Sequence, residues 1–231
     1  MSFPRQAIVV QARLQSSRLP GKVMREIAGK PLLEHLIDRI NLDTIDWPLI
    51  ISTSSLKYDD PICDFCAVKG IECFRGSHLN VASRFHEVCK KYNLDAFLRI
   101  SADSPMMDGS LVSQFIGYWR PNLDLLSNIH PRTYPKGQSL EIINSRFYSQ
   151  HFHDFDSDFD REHVTPYFYR NLKSVRFENI AFEENLSKYS LAIDTPEELE
   201  RFDRFVNSEG DTWIKYNFRE ILNRYSAQVE G

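Results

Sequence analysis

The chain has 231 residues, 42% of them hydrophobic, with 28 Lys and Arg against 32 Asp and Glu for a net charge of −4. That composition excludes a disordered chain, and the length is enough to bury a core without disulfide or metal staples. The acidic balance leaves no electrostatic footprint for nucleic acid or an anionic membrane surface. No apolar run approaches the length of a membrane span. The first residues lead straight into a strand-like run with no room for a secretory leader, so a cytoplasmic location is expected.

The first half alternates strand and helix signals. Gln6–Gln11 (QAIVVQ) is an apolar run of strand length, and residues 12–22 form a polar, proline-containing loop. Leu32, Leu33, Leu36, Ile37 and Ile40 recur at helical spacing. Residues 48–53 (PLIIST) read as a second strand, and Asp60-Pro61 as an N-cap with proline at the first helical position. A short strand over 71–74 precedes a helix whose face carries Val81, Phe85, Val88 and Tyr92. Residues 95–100 (DAFLRI) are a further strand, with 101–108 as its exit loop. This alternation predicts a three-layer α/β sandwich with a mainly parallel sheet. Ligands in such folds bind beyond the carboxyl ends of the strands.

The second half is less regular. Residues 122–129, 138–143 and 174–181 read as strands, and 152–160 as a loop rich in Asp and Phe. Thr195-Pro196-Glu197-Glu198 has the form of a capping box opening a helix. Cys63 and Cys66 make a C-x-x-C, but no second pair at zinc spacing follows, and the pair lies within the helix-like segment Asp60–Lys69. All four cysteines are read as reduced structural thiols.

The loop over 12–22 gathers Arg13, Arg18 and Lys22 with serine hydroxyls and a glycine directly after the first strand. Guanidinium forks and an ammonium suit polyphosphate oxygens. It is not a Walker A loop, because Val23 follows Lys22 and no glycine stands five residues before Gly21. Asp103 at the end of the 95–100 strand and Asp194 before the capped helix are each weak signals. Facing one crevice, they would suit Mg2+, which takes one or two carboxylates plus phosphate oxygens and water.

In order along nearly the whole chain, these segments resemble the cytidylyltransferase family that activates acidic sugars, the CMP-Kdo and acylneuraminate synthetases, and within it the SpsF-like branch. The likeness is carried by Val10-Gln11-Ala12-Arg13 with Ser17-Arg18-Leu19-Pro20-Gly21-Lys22, and by Phe74-Arg75-Gly76-Ser77 with Arg84-Phe85. It continues through Ser101-Ala102-Asp103-Ser104-Pro105, Arg161-Glu162-His163 and Ile193-Asp194-Thr195-Pro196-Glu197-Glu198. The resemblance implies a Rossmann-like nucleotidyltransferase fold, CTP as donor, a small sugar as acceptor, Mg2+ as cofactor and a homodimer. It implies one domain over 1–231, with a nucleotide-binding half at 1–120, an acceptor and dimer half at 121–190, and a metal-ligand turn with C-terminal helices at 191–231.

By position, Arg13, Ser17, Arg18 and Lys22 would hold the triphosphate, with Lys22, Arg13 and Arg18 stabilising the charge of the reaction. Ala12, Ser52, Thr53, Ser54, Arg75 and Arg84 would complete the nucleotide site. Asp103 and Asp194 would hold the metal. Asn128, Arg132, Tyr134, Glu141, Arg161, Glu162 and His163 would form the acceptor site. The family's P-D-G-L-D-V-E is here Pro135-Lys136-Gly137-Gln138-Ser139-Leu140-Glu141, so two acidic positions become Lys136 and Ser139. The competing readings are transfer from another nucleoside triphosphate, a glycosyltransferase using Asp154-Phe155-Asp156 or Asp156-Ser157-Asp158 as a D-x-D motif, and a non-catalytic nucleotide-binding scaffold.

Overall fold

The structure is a computed structural model that describes residues 5–16, 18–41 and 46–227. Strand β1 (Gln6–Gln11) lies in the interior of a seven-stranded sheet. A two-stranded ribbon, β2 (Glu26–Ile27) and β3 (Lys30–Pro31), leads into α1 (Leu32–Ile40). Next come β4 (Leu49–Ser54), α2 (Asp60–Lys69), β5 (Glu72–Gly76), α3 (Val81–Tyr92), β6 (Ala96–Ser101) and α4 (Gly109–Tyr118). The remaining elements are β7 (Leu125–Ser127), β8 (Glu141–Asn144), α5 (Ser145–His151), α6 (Asp158–His163), α7 (Pro166–Arg170), β9 (Phe177–Asn179), α8 (Pro196–Glu209) and α9 (Phe218–Ala227).

The sheet order is β5-β4-β1-β6-β8-β7-β9, and only the β8 pairings are antiparallel. A mostly parallel sheet must bury both faces, which is why β1 reads as an unbroken apolar run. Ile8 and Val10 pack into one core cluster with the apolar faces of α1, α4, α8 and α9. Ala7 and Val9 point into the other, with those of α3, α5 and α7. The predicted α/β sandwich is the observed one. Among the described residues no helix is long and apolar enough to cross a membrane.

Two buried features lock the layers together. Arg39, 1% exposed on α1, donates to the carbonyls of Met107, Trp213, Ile214 and Tyr216, tying the loop after β6 to the chain before α9. Burial lowers its guanidinium to about 10. Gly109 at the start of α4 lies so close to α1 that an added Cβ would sit 2.2 Å from the Arg39 carbonyl oxygen.

Several local expectations shift. The α2 N-cap is Asp59, not Asp60, and Asp59 does not cap by its side chain. Its carboxylate instead accepts the Leu14 N–H at 2.8 Å and the Ser54 hydroxyl. The strands expected over 122–129 and 138–143 are shorter. Asn128 keeps its backbone N–H on the Leu140 carbonyl while its side chain braces the following loop, and the Gln138 amide turns inward to the backbone of Met106 and Asp108. The 152–160 loop is partly helical, with α6 capped by Ser157. His163 ends that helix, three residues before α7 begins.

Gly109→Ala forces the α1 backbone to give way, and overpacking of this kind costs about 1–3 kcal/mol. Urea unfolding should show a lower midpoint with an unchanged slope. A midpoint equal to that of the parent would contradict the close α1–α4 approach.

Candidate active site

At the carboxyl ends of β1 and β6 the ladder runs on for one residue each way: Ala12 N–H donates to the Ser52 carbonyl at 3.0 Å and Ala102 N–H to the Gln11 carbonyl at 3.0 Å. The chain then diverges and leaves a cleft of about 570 Å³. That volume falls in the range of small-molecule sites.

The loop after β1 is pinned at both ends. Leu14 and Leu19 are buried in the core, Leu14 N–H is held by Asp59, and Gly21 N–H returns to the Leu14 carbonyl at 2.7 Å. Gly21 takes φ 73°, a left-handed conformation that glycine adopts at no steric cost. With its apolar residues turned inward, the loop presents Arg13, Gln15, Ser16 and Arg18 to the cleft. Ser17 lies outside the described residues.

Lys22 closes the loop and reaches across the cleft floor. Its ammonium donates to the Ile193 carbonyl at 2.9 Å and Asp194 Oδ1 at 2.8 Å, and contacts Asp103 Oδ2 at 3.4 Å. Asp103 and Asp194 are placed together by the backbone, since Ile193 N–H donates to the Asp103 carbonyl at 2.8 Å. Capping of α8 falls to Thr195 and Glu198, which form the full capping box, so the Asp194 carboxylate is free to face the cleft. There it also meets Lys136 and, at 3.1 Å, Arg18. Burial alone would raise the Asp194 carboxyl, but hydrogen bonds from Lys136 and Lys22 outweigh it and hold it well below the usual carboxylate range. It stays ionised at any working pH, and its stabilising contribution, present above the ordinary carboxylate value, is lost only in strong acid.

One ammonium touches both carboxylates, so both are within reach of one small cation. Among the described residues no third His, Cys, Asp or Glu joins them in a metal-binding group. Two carboxylates with space for phosphate oxygens and water suit magnesium's preference, and the residues fit the implied metal.

The far wall comes from the second half of the chain. Arg13 makes a two-pronged pair with Glu162. Arg99 bridges the Gln11 amide oxygen at 3.0 Å and Glu141 Oε2 at 2.7 Å, and Tyr169 donates to the other Glu141 oxygen at 2.6 Å. Arg132 donates to the Ser139 hydroxyl and forms no ion pair among the described residues. Arg84, 1% exposed, lines the cleft with its Nε unpartnered among the described residues; burial, aided by Arg13, lowers it to about 10. His163 lies at the cleft edge.

Of the residues singled out in the sequence, the cleft gathers Ala12, Arg13, Arg18, Lys22, Arg84, Asp103, Arg132, Glu141, Glu162, His163 and Asp194. It leaves out seven. Ser52, Thr53 and Ser54 are fully buried within β4, Ser54 bonded to Asp59. Arg75 is held by Asp60 and the carbonyls of Ser54 and Leu56. Asn128 braces the 128–140 loop, Tyr134 packs on Phe182 and Phe218, and Arg161 pairs with Asp158. The sequence reading missed Gln11, Arg99 and Ser139. Arg99 carried a signal, a guanidinium inside an otherwise apolar strand, which demands a buried partner such as Glu141. The D-x-D candidates lie elsewhere: Asp154 bonds His151 and Tyr167, and Asp158 bonds Arg161. Cys63, Cys66, Cys73 and Cys89 are free thiols outside the cleft.

The sequence matches the model of the cytidylyltransferase family over residues 7–224. It is 28% identical over 212 residues to the spore coat polysaccharide biosynthesis protein SpsF of Bacillus subtilis, covering 88% of this chain and 87% of that one. It is 27% identical over 247 aligned residues to a 3-deoxy-manno-octulosonate cytidylyltransferase of Solibacter usitatus, covering 89% and 96%. A solved cytidylyltransferase from Leptospira borgpetersenii superposes with a TM-score of 0.90 at 24% identity, covering 98% of this chain and 95% of that one. At that identity the likeness bears on the fold alone.

Partial burial, opposed by Glu162 and reinforced by Arg99 and Arg13, lowers the His163 imidazole from its ordinary value. His163 is therefore neutral at pH 7, and any stability it contributes is lost as pH falls below about 6.5. Its C2 proton should titrate by NMR with a midpoint under 6.5, and Glu162→Gln should lower the midpoint further. A midpoint above 6.5 in the parent chain would contradict this environment.

Proposed function

The chain belongs to the cytidylyltransferase family, and from that premise we propose that it transfers CMP from CTP to a hydroxyl of an acidic sugar, releasing pyrophosphate. The observation that carries the reading is the Lys22 ammonium set between Asp103 and Asp194 on the cleft floor. A buried lysine paired with two carboxylates costs desolvation energy that a packed apolar residue would not. Its place at the end of the parallel strands is where such a sheet binds ligands.

In the proposed reaction the acceptor hydroxyl oxygen forms a bond to the α-phosphorus of CTP. The bond from that phosphorus to the bridging oxygen breaks in line, and pyrophosphate departs with the electron pair. Lys22 on the floor and Arg13 and Arg18 on the loop above it would hold the phosphate oxygens and neutralise the charge that grows on them. Arg13 must part from Glu162 to do so. Arg84, with a buried and unpartnered Nε, supplies a further fixed donor to the nucleotide. Asp103 and Asp194 would hold magnesium, which when bound would neutralise phosphate charge and polarise the α-phosphate. Arg132, a guanidinium of the far wall without a carboxylate partner among the described residues, is placed for the carboxylate of an acidic acceptor. His163, neutral at pH 7, is the group at the cleft edge able to take the hydroxyl proton.

Removing one preorganised donor of this kind typically costs 10²- to 10³-fold in rate. Lys22→Ala and Asp103→Asn should each lower CTP-dependent pyrophosphate release by about that factor, with a cooperative thermal transition retained. Near-parental turnover in either variant would defeat the assignment. CTP with magnesium should raise the parent's melting temperature more than UTP or GTP does; equal shifts would remove the cytosine preference.

A further inference from the structure

Lys136 lines the cleft without a task in the proposed reaction, and unlike Arg99, which is held by Glu141, it sits on one of the two aspartates of the floor. Its backbone is fixed on both sides: the N–H donates to the Tyr189 carbonyl at 3.0 Å, and the carbonyl accepts from Leu191 N–H at 2.7 Å. Gly137 beside it has φ +92°, and an added Cβ there would lie 2.6 Å from the Leu191 carbonyl carbon. The loop is thus pressed against the chain that leads to Asp194. The Lys136 side chain is 52% exposed, and its one acceptor among the described residues is Asp194 Oδ2.

The Asp194 carboxylate therefore carries three positive groups, Lys22 on Oδ1 and both Lys136 and Arg18 on Oδ2. A divalent cation binding this carboxylate needs one of its oxygens and meets the repulsion of all three. Lys22 cannot withdraw without abandoning the Ile193 carbonyl and Asp103, and its side chain is only 10% exposed. Lys136 differs on both counts, since among the described residues it has no second acceptor to give up and its stem is in solvent. Arg18 is as exposed, but it stands at 3.1 Å from Oδ2 against 2.5 Å for Lys136, which holds that oxygen the more closely.

We propose that Lys136 is the resident counter-ion of Asp194, filling the carboxylate oxygen that a divalent metal takes and swinging away when the metal arrives. It thereby sets the metal affinity of the site. The proposal rests on the reading of Asp103 and Asp194 as metal carboxylates. The exchange keeps Asp194 neutralised in both states, and the anchored backbone keeps the freed ammonium in the cleft, beside the anionic substrate. No bond to carbon or phosphorus changes in this step; one cation replaces another.

The test is a titration of the full chain with Mn2+ alone, without nucleotide, following free aquo-manganese by electron paramagnetic resonance. Lys136→Met should bind Mn2+ about tenfold or more tightly than the parent, in the range by which neighbours of metal ligands change affinity. Lys136→Arg, which keeps the charge, should stay within about twofold of the parent, and Asp194→Asn should weaken binding severalfold. Parental or weaker affinity in Lys136→Met, with Asp194→Asn still weakened, overturns the counter-ion role and leaves the transfer reading standing. Undiminished binding in Asp194→Asn removes the metal carboxylate itself, and both readings fall together.

Discussion

A single ammonium joins three stretches of chain that are remote in sequence. Lys22, at the end of the loop after β1, touches Asp103 after β6 and both the backbone of Ile193 and the side chain of Asp194 before α8. The cleft has no floor without it. The first loop would lose its hold on the opposite wall, and two carboxylates would face each other without a cation between them. Like charges at such separation repel by several kcal/mol in a partly buried setting.

Arg13 with Glu162, Arg99 with Glu141 and Asp194 with its cluster of cations extend the same economy across the cleft. Each charge is matched by a partner from another part of the chain. A ligand entering such a site gains only what it offers beyond the contacts it displaces, which favours a polyanion with metal over a neutral sugar or nucleoside. Among the described residues Arg84 and Arg132 are exceptions to this internal pairing, one deep among helix and strand ends, the other on the acceptor wall. Two guanidinium groups without carboxylate partners mark where anionic or polar ligand atoms are still wanted.

The sequence made some of this legible and hid the rest for physical reasons. The strand β1, the amphipathic helix α1 and the capping box at Thr195 rest on local periodicity and local hydrogen bonds, so they can be read from consecutive residues. The meeting of Lys22 with Asp103 follows from strand order, because loops at the same end of the neighbouring parallel strands β1 and β6 must meet. Asp194 precedes α8 and is brought in by the Ile193 N–H on the Asp103 carbonyl. The resemblance implied Ser52, Thr53 and Ser54 as nucleotide contacts, but the strand runs to Ser54 and buries all three beneath the loop that Asp59 secures. Asn128 and Tyr134 fall in the same class, their polar groups and ring serving the loop that carries Arg132 and Lys136. Whether a side chain braces a loop or points from it depends on contacts made by residues ten or more positions away, and no local pattern reports those.

The central claim is that one cleft receives a metal-chelated triphosphate over the floor that Lys22 and the two aspartates form together. A crystal structure of the chain with CTP and manganese, the metal located by anomalous scattering, tests that most directly. The account predicts an anomalous peak bound by Asp103 and Asp194, with the triphosphate against Arg13, Arg18 and Lys22. A nucleotide seated elsewhere, or a metal peak away from both carboxylates, would contradict it.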